Sequence, residues 1–287
     1  MKCVILAAGY ATRLYPLTEN FPKPLLDIKG KGILEWLIGD IEQIEEMDEV
    51  IVVSNHKFIE HFTKWVGKLK TRLKITVLDD GSICNEDRLG AVKDIAYAIE
   101  NANIQDDMMV LAGDNLLDFS MEGFYEFYNQ KKSTCIMRYF EESVEKLRRT
   151  GVALIDENDK VLEMAEKPQE PKSNWAVPPF YIYKKEDLAK ILDGVNSDAC
   201  DTDAPGSFIS WFCTQRNVYA YPMPGKRYDI GNLESYNQIK ESYRGLHVKE
   251  GLTTGRKYKE SKKIMKIKKE KGERYLIHRS ANWLFLS

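Results

Sequence analysis

Arg13 and Lys23 lie within a stretch of small residues and prolines, AAGYATRLYPLTENFPKPLL. Ala7, Ala8, Gly9 and Ala11 leave the backbone bare enough for N–H groups to approach a phosphate. The guanidinium and the ammonium supply charge for it. The apolar run Cys3–Ala8 comes first and reads as a buried strand that turns sharply at Gly9. A strand, a turn of small residues and two spaced cations form a layout for binding a triphosphate. Neither GxxxxGK[ST] nor GxGxxG is present, since Ala11 stands where a second glycine would be.

Carboxylates recur at the ends of other apolar runs. In Leu111-Ala112-Gly113-Asp114-Asn115 the acid follows a candidate strand directly. Such a residue suits Mg²⁺, which takes a few hard oxygen ligands and keeps phosphate oxygens and waters as the rest. It equally suits a turn whose Asp accepts backbone hydrogen bonds. Asp229, in Arg227-Tyr228-Asp229-Ile230-Gly231, leads a turn into a helix expected near Leu233. Glu166-Lys167-Pro168 closes a third run. There a carboxylate can accept from hydroxyls and an ammonium can hold a phosphate as a point charge.

The elements around these residues alternate. Strands are expected at Cys3–Ala8, Glu49–Ser54, Lys74–Leu78 and Met108–Ala112, with helices at Ile33–Glu46, Lys57–Leu69 and Gly90–Asn101. Ile33, Leu34, Leu37, Ile38, Ile41 and Ile44 recur at helical spacing. The alternation predicts an α/β fold, a Rossmann-like, mostly parallel mixed sheet flanked by helices. Ligands in such sheets bind at the carboxyl ends of strands, where Gly9, Asp79 and Asp114 fall. Further strands are expected at Thr134–Phe140, Val152–Ile155, Val161–Glu166, Ala176–Tyr183 and Val218–Met223. Further helices are expected at Glu186–Leu192 and Leu233–Tyr243.

The chain has 287 residues, 43% hydrophobic and 30% charged, and a formal net charge of −2. These values fit a soluble globular protein, and no apolar stretch approaches the roughly 18 residues that span a membrane. The five cysteines are scattered without a CxxC pair, which suggests neither a zinc site nor a disulfide framework. The expected compartment is the cytoplasm, with no membrane or nucleic-acid partner. Lysine and arginine crowd the end of the chain, as in GRKYKESKKIMKIKKEKGER. One domain is therefore expected over 1–244, followed by a basic extension over 245–287 that reads as a solvated end.

AAGYATRLYPLT followed by FPKPLL resembles the signature of the sugar-1-phosphate nucleotidyltransferases. Within them it is most similar to the glucose-1-phosphate thymidylyltransferase and uridylyltransferase group. Gly9, Thr12, Arg13, Pro16 and Lys23 match, and Ala8 and Ala11 replace glycines. Alanine there should preserve the backbone approach while barring positive φ at little cost. The resemblance covers 1–244 and rests on four ordered motifs: the opening loop with Lys23, then GDN, EKP and DIG.

It implies the nucleotide-diphospho-sugar transferase fold, and a nucleoside triphosphate and a phosphorylated sugar as substrates. By the same resemblance Arg13, Lys23 and Asp114 are catalytic, and Asp114 and Asp229 hold Mg²⁺. Leu6, Ala7, Ala8, Gly9, Thr12, Asn85, Gly90 and Asn115 would bind the nucleotide. Gly151, Glu166, Lys167 and Val177 would bind the acceptor. A homo-oligomer is compatible with the family.

Two departures leave the substrates open. Asn85 stands five residues before Gly90, where relatives place a Gln that reads a pyrimidine. Asn carries the same amide on a stem one methylene shorter. UTP or dTTP is the expected nucleotide, with CTP as the alternative. Pro178-Pro179 replaces a Thr-Gly, and proline has no N–H to offer a sugar hydroxyl. Glucose 1-phosphate is then the default acceptor, and a phosphorylated alcohol such as phosphocholine is the alternative. A catalytically silent nucleotide-sugar sensor would keep the fold without turnover. His56 and His61 show no acidic partner in the sequence and read as surface residues.

Overall fold

The structure is a computed structural model that describes residues 1–197 and 200–246. The basic extension, from 247 on, lies outside the described residues.

The first half is a run of β–α units. β1 (Lys2–Leu6) leads through the opening loop to α1 (Ile33–Ile41), then β2 (Glu49–Ser54), α2 (Ile59–Val66), β3 (Lys74–Asp79), α3 (Ala91–Asn101) and β4 (Met108–Ala112). These strands are short apolar runs, and β2 is buried along its whole length. Continuous burial is what helices on both faces of a sheet require. α1 ends at Ile41, short of the expected Glu46, in turns closed by Gln43, Ile44 and Met47. Ile44 and Met47 remain in the core all the same.

The second half adds β5 (Asn115–Leu117), α4 (Glu122–Lys131), β6 (Cys135–Phe140), β7 (Gly151–Ile155), β8 (Val161–Glu166), β9 (Trp175–Val177) and β10 (Phe180–Tyr183). It continues with α5 (Leu188–Asn196), α6 (Pro205–Phe212), β11 (Tyr219–Pro222), β12 (Arg227–Asp229) and α7 (Leu233–Ser242). The strand expected over Ala176–Tyr183 is two strands, because Pro178 and Pro179 cannot donate to a ladder. The two halves pair with different neighbours: β9 with β6 and β7, β10 with β4 and β6.

Among the described residues the main sheet runs β8-β7-β9-β6-β10-β4-β1-β2-β3, with β11 beside β6. β4, β1, β2 and β3 are mutually parallel. From β10 to β8 every step along this order is antiparallel. The sheet is thus mixed, with its parallel part where the β–α units lie. α3 and α6 bury Val92, Ile95, Phe208 and Phe212 on one face, against Val4, Ile51 and Val110. A second apolar cluster gathers Leu14, Ile33, Leu116, Ile230, Tyr236 and Tyr243. It ties the opening loop, α1, β5 and α7 together at the end of the sheet where β1 and β4 stop.

Candidate active site

Parallel pairing sets the site. Leu6 is in register with Ala112, so the loops after β1 and β4 leave the sheet side by side. The Gly113 N–H donates to the Leu6 carbonyl at 2.9 Å. A Cβ on Gly113 would lie 2.9 Å from Ile5 Cγ2 and 3.1 Å from that carbonyl oxygen. Glycine is what lets the chain carrying Asp114 approach β1 this closely.

The opening loop is held by its neighbours. The Ala7 N–H donates to the Val53 carbonyl at 2.9 Å, and Asn55 Nδ2 donates to the Ala8 carbonyl at 2.9 Å. Thr18 Oγ1 donates to the Ala11 carbonyl at 2.8 Å. A Cβ at Gly9 would meet nothing within 4 Å, so the space above that backbone is open. Ala11 corrects one expectation: it adopts the left-handed region, at φ 47° and ψ 43°. Alanine here does not bar positive φ but bears its cost, about 1 kcal/mol or more. Ala8 is not among the positive-φ residues. Thr12 and Arg13 follow in a single 3₁₀ turn, Thr12–Leu14, anchored by buried Leu14. Arg13 is exposed and makes no ion pair among the described residues.

Lys23 lies between the two expected metal ligands. Its Nζ is 2.7 Å from Asp114 Oδ2 and 3.9 Å from Asp229 Oδ1. The Lys23 side chain is 8% exposed, while those of Asp114 and Asp229 are 39% and 58% exposed, so the carboxylates face outward around a buried cation. Asp229 leads towards the helix at Leu233, as expected, but from the end of a strand that the sequence does not show. It ends β12, which pairs antiparallel with β5 so that Asp229 stands opposite Asn115. That ladder brings the two acids together across more than a hundred positions of sequence. A cation already sits between them, so the pair fits a positively charged group supported by two carboxylates. Two carboxylates plus phosphate oxygens are an ordinary set for Mg²⁺. Among the described residues no cluster of three or more His, Cys, Asp or Glu side chains suits a metal.

Asn115 is 1% exposed. Its Nδ2 donates to Asp114 Oδ1 at 2.8 Å, and its Oδ1 accepts from Arg227 Nη1 at 2.7 Å. Both ends of the amide are engaged, so the side chain supports Asp114. In the sequence Arg227 stands out only as a near neighbour of Asp229. Nothing in the spacing showed that it reaches Asn115.

On the antiparallel side, Glu166 and Val177 each stand opposite Gly151, on either side of it. A Cβ at Gly151 would fall 3.1 Å from Glu166 Oε2, and one at Gly206 would fall 2.1 Å from the same atom. The two glycines leave a slot for this carboxylate. Burial pushes the Glu166 carboxyl up, the adjacent Lys167 opposes that rise, and Asp201 and Asp203 add to it. Its carboxylate has no hydrogen-bond partner among the described residues. Lys167 turns the chain out of β8 with φ 47°, its N–H on the Thr150 carbonyl at 3.1 Å.

Asn85 is exposed on the loop between β3 and α3. Gly90 closes that loop at φ 94° and ψ 151°, a conformation essentially reserved for glycine. A Cβ there would lie 2.6 Å from the Thr202 carbonyl oxygen. His56 is a surface residue as expected, but it has an acidic partner that the sequence does not show: its Nδ1 is 2.6 Å from Asp79 Oδ2. Its backbone N–H donates to the Ser82 carbonyl at 2.9 Å, so it pins the start of this loop. Among the described residues no helix is long and apolar enough to cross a membrane.

Comparison with known proteins bears on the family and the fold. A candidate mannose-1-phosphate guanyltransferase of Sulfolobus acidocaldarius is 29% identical over 242 residues, 83% of this chain and 62% of its own. The glucose-1-phosphate adenylyltransferase of Fervidobacterium nodosum is 26% identical over 247 residues, 81% of this chain and 59% of its own. A UTP–glucose-1-phosphate uridylyltransferase of Synechocystis is 26% identical over 272 residues, 89% of this chain and 69% of its own. The chain thus spans about three fifths of the length of the first two of these relatives. Among solved structures, UDP-glucose pyrophosphorylase with UDP-glucose superposes with a TM-score of 0.71 at 19% identity, over 84% of this chain and 97% of that one. That likeness shows the shared fold. The sequence profile of the nucleotidyl transferases matches residues 2–245, and the chain belongs to that family, the sugar-1-phosphate nucleotidyltransferases.

Proposed function

We propose that this chain transfers a nucleotidyl group. A phosphate oxygen of a phosphorylated acceptor attacks the α-phosphorus of a nucleoside triphosphate, the bond to the β-phosphate oxygen breaks, and pyrophosphate leaves. UTP or dTTP with glucose 1-phosphate is the specific reaction proposed. The observation that carries this reading is Lys23, held between Asp114 and Asp229 beside the open backbone of Gly9.

A phosphate monoester is already anionic, so the reaction needs no general base. Catalysis then consists of positioning and charge neutralisation. In this reading Lys23 neutralises the α-phosphate and the incoming phosphate, and Arg13, exposed on its short turn, takes the pyrophosphate. Backbone from Leu6 to Thr12 cradles the phosphates, while Asn85 and Gly90 meet the base. Glu166 accepts from the acceptor, Lys167 holds its phosphate, and Gly151 and Val177 give it room. Asp114 and Asp229 would hold Mg²⁺, which when bound draws charge from phosphate oxygens.

A second reading has one observation behind it. Glu166 is half-buried and unpaired beside Asp201 and Asp203, and Pro178 and Pro179 next to Val177 offer no N–H. Such a wall suits an acceptor with a cationic end, such as phosphocholine, better than a neutral sugar. The test is pyrophosphate release over a matrix of UTP, dTTP, CTP, GTP and ATP against glucose 1-phosphate, mannose 1-phosphate, N-acetylglucosamine 1-phosphate and phosphocholine. Release confined to UTP or dTTP with glucose 1-phosphate supports the specific reaction. Release with CTP and phosphocholine supports the second reading. Nucleotide-sugar binding without release from any pair overturns both in favour of a silent sensor.

A further inference from the structure

Lys23 and a divalent cation would draw on the same two carboxylates. The Lys23 ammonium donates to Asp114 Oδ2 at 2.7 Å and lies 3.9 Å from Asp229 Oδ1. The other Asp114 oxygen, Oδ1, accepts from Asn115 Nδ2 at 2.8 Å. Both oxygens of Asp114 therefore have a donor within the protein. Arg227 stands behind them, its Nη1 2.7 Å from Asn115 Oδ1. Two carboxylates thus face one ammonium directly and one guanidinium across a single side chain, which leaves the group close to neutral. The affinity of a carboxylate site for a hard divalent ion follows its charge count as well as its oxygens.

The backbone fixes Lys23, but its side chain can turn. Pro22 and Pro24 flank it, and it opens the 3₁₀ turn Lys23–Leu25. Proline fixes φ at its own position and restricts the residue before it, so the chain is held on both sides of Lys23. The Leu26 N–H donates to the Lys23 carbonyl at 3.0 Å, and the Leu25 N–H donates to the Pro22 carbonyl at 3.0 Å. The stem is different. Its four flexible carbons end in a compact charge that can pass from one anion to another. An ammonium turned towards a phosphate would free both carboxylates at once.

We propose that Lys23 is the resident counter-ion of the Asp114–Asp229 pair and keeps a divalent cation off it while no phosphate is bound. This rests on the reading that the pair is the metal site and that Lys23 meets the phosphates. Ammonium and metal are then alternatives at one pair of carboxylates. The consequence is an order of binding, in which the metal is held with the triphosphate and not before it.

The test reads metal binding directly. Mn²⁺ alone is titrated into the full chain at fixed ionic strength without nucleotide, and free Mn²⁺ is followed by its electron paramagnetic resonance signal. Lys23→Met removes the charge and keeps an unbranched stem, and Lys23→Gln removes the charge and keeps a polar end. Thermal unfolding shows that each is folded, and either one suffices. Repulsion between a single and a double charge a few ångströms apart is strong even when screened as in water. Both variants should therefore bind Mn²⁺ at least about tenfold more tightly than the wild type. Adding Asp229→Asn to Lys23→Met should remove that gain.

Mn²⁺ binding by both neutral variants that is no tighter than in the wild type overturns the counter-ion. A gain that survives Asp229→Asn in full also overturns it, since the ion then sits elsewhere. Two further measurements separate this from the reading beneath it. The Mg²⁺ concentration for half-maximal pyrophosphate release should rise in Asp229→Asn. If it rises while the Lys23 variants gain no Mn²⁺ affinity, the metal site stands and the counter-ion falls. Tripolyphosphate, titrated in EDTA, should bind both Lys23 variants about tenfold more weakly than the wild type. Equal tripolyphosphate binding, together with the Mn²⁺ gain, upholds the counter-ion and overturns the assignment of Lys23 to the phosphates.

Discussion

Asp229 stands opposite Asn115 in a three-residue ladder, which sets it beside Asp114, and Lys23 Nζ lies 2.7 Å from one acid and 3.9 Å from the other. The arrangement puts one buried ammonium at the point where the proposed reaction needs positive charge. Removing its charge, or one carboxylate, should be felt in turnover far more than in stability. Lys23→Ala and Asp114→Asn are each expected to lower pyrophosphate release by at least about 10²-fold, the cost of a lost electrostatic donor at a reacting centre. Thermal unfolding of both variants checks that the fold is intact. Release within a few-fold of wild type would refute the assignment of these roles.

Arg227 acts one step further back. Its guanidinium holds the Asn115 amide, which in turn donates to Asp114 Oδ1. Groups that orient a metal ligand typically change metal affinity by about 10- to 100-fold when removed. Arg227→Met should raise the Mg²⁺ concentration for half-maximal activity by about tenfold and leave KM for the acceptor near its wild-type value. A Mg²⁺ titration of initial rate distinguishes this from a general loss of folding, which would scale all rates alike.

These residues also show where the sequence was informative. The parallel strands and the opening loop were legible because a buried strand is a contiguous apolar run, and the loop after it is marked by small residues and spaced cations. α4 and α6 are not legible, because their aromatic and glycine content breaks the helical pattern: EGFYEFYNQK and PGSFISWF. The strand that ends at Asp229 is not legible because three residues carry no periodicity. Its partner, β5, is likewise only three residues long. The His56–Asp79 pair joins two different strand ends, so no local spacing reveals it. Contacts made by register, not by neighbouring sequence, account for the parts of the site that the sequence left out.

Gly206 tests the slot around Glu166. Adding a methyl group there brings Cβ to within 2.1 Å of Oε2 unless the carboxylate moves. Gly206→Ala should therefore raise KM for the acceptor by about tenfold or more while leaving KM for the triphosphate unchanged, a displacement effect of about 1.4 kcal/mol. Gly39→Ala serves as a control. A Cβ at Gly39 meets nothing within 4 Å, and the residue lies inside α1. It should stabilise the protein by up to about 1 kcal/mol without touching either KM.

Ala11 makes the reverse prediction. Its left-handed backbone suits glycine, so Ala11→Gly relieves strain of about 1 kcal/mol, less what the freer unfolded chain takes back. A small rise in Tm is expected. Ala8→Gly, at a position without positive φ, gives only the entropic loss and should lower Tm. Equal shifts in the two variants would show that the loop conformation is not the one described.

Acid should weaken the sheet through Glu49. Burial alone would raise its carboxyl, but Lys74, Thr76 and Lys2 outweigh that and hold it down at about 2. The contacts are short: Lys74 Nζ at 2.8 Å, Thr76 Oγ1 at 2.7 Å and Lys2 Nζ at 3.2 Å, joining β1, β2 and β3 at one end. A carboxyl whose folded pKa lies below its unfolded value stabilises the fold at higher pH. The contribution is complete above the ordinary Glu value of about 4.5 and is lost as pH falls from there towards 2. Glu49→Gln keeps the shape and removes the charge. It should lower Tm at pH 7 and narrow the gap to wild type as the pH falls to 3. Parallel Tm curves for the two proteins between pH 7 and pH 3 would mean that Glu49 keeps its charge pairing in the unfolded chain, or never had it in the folded one.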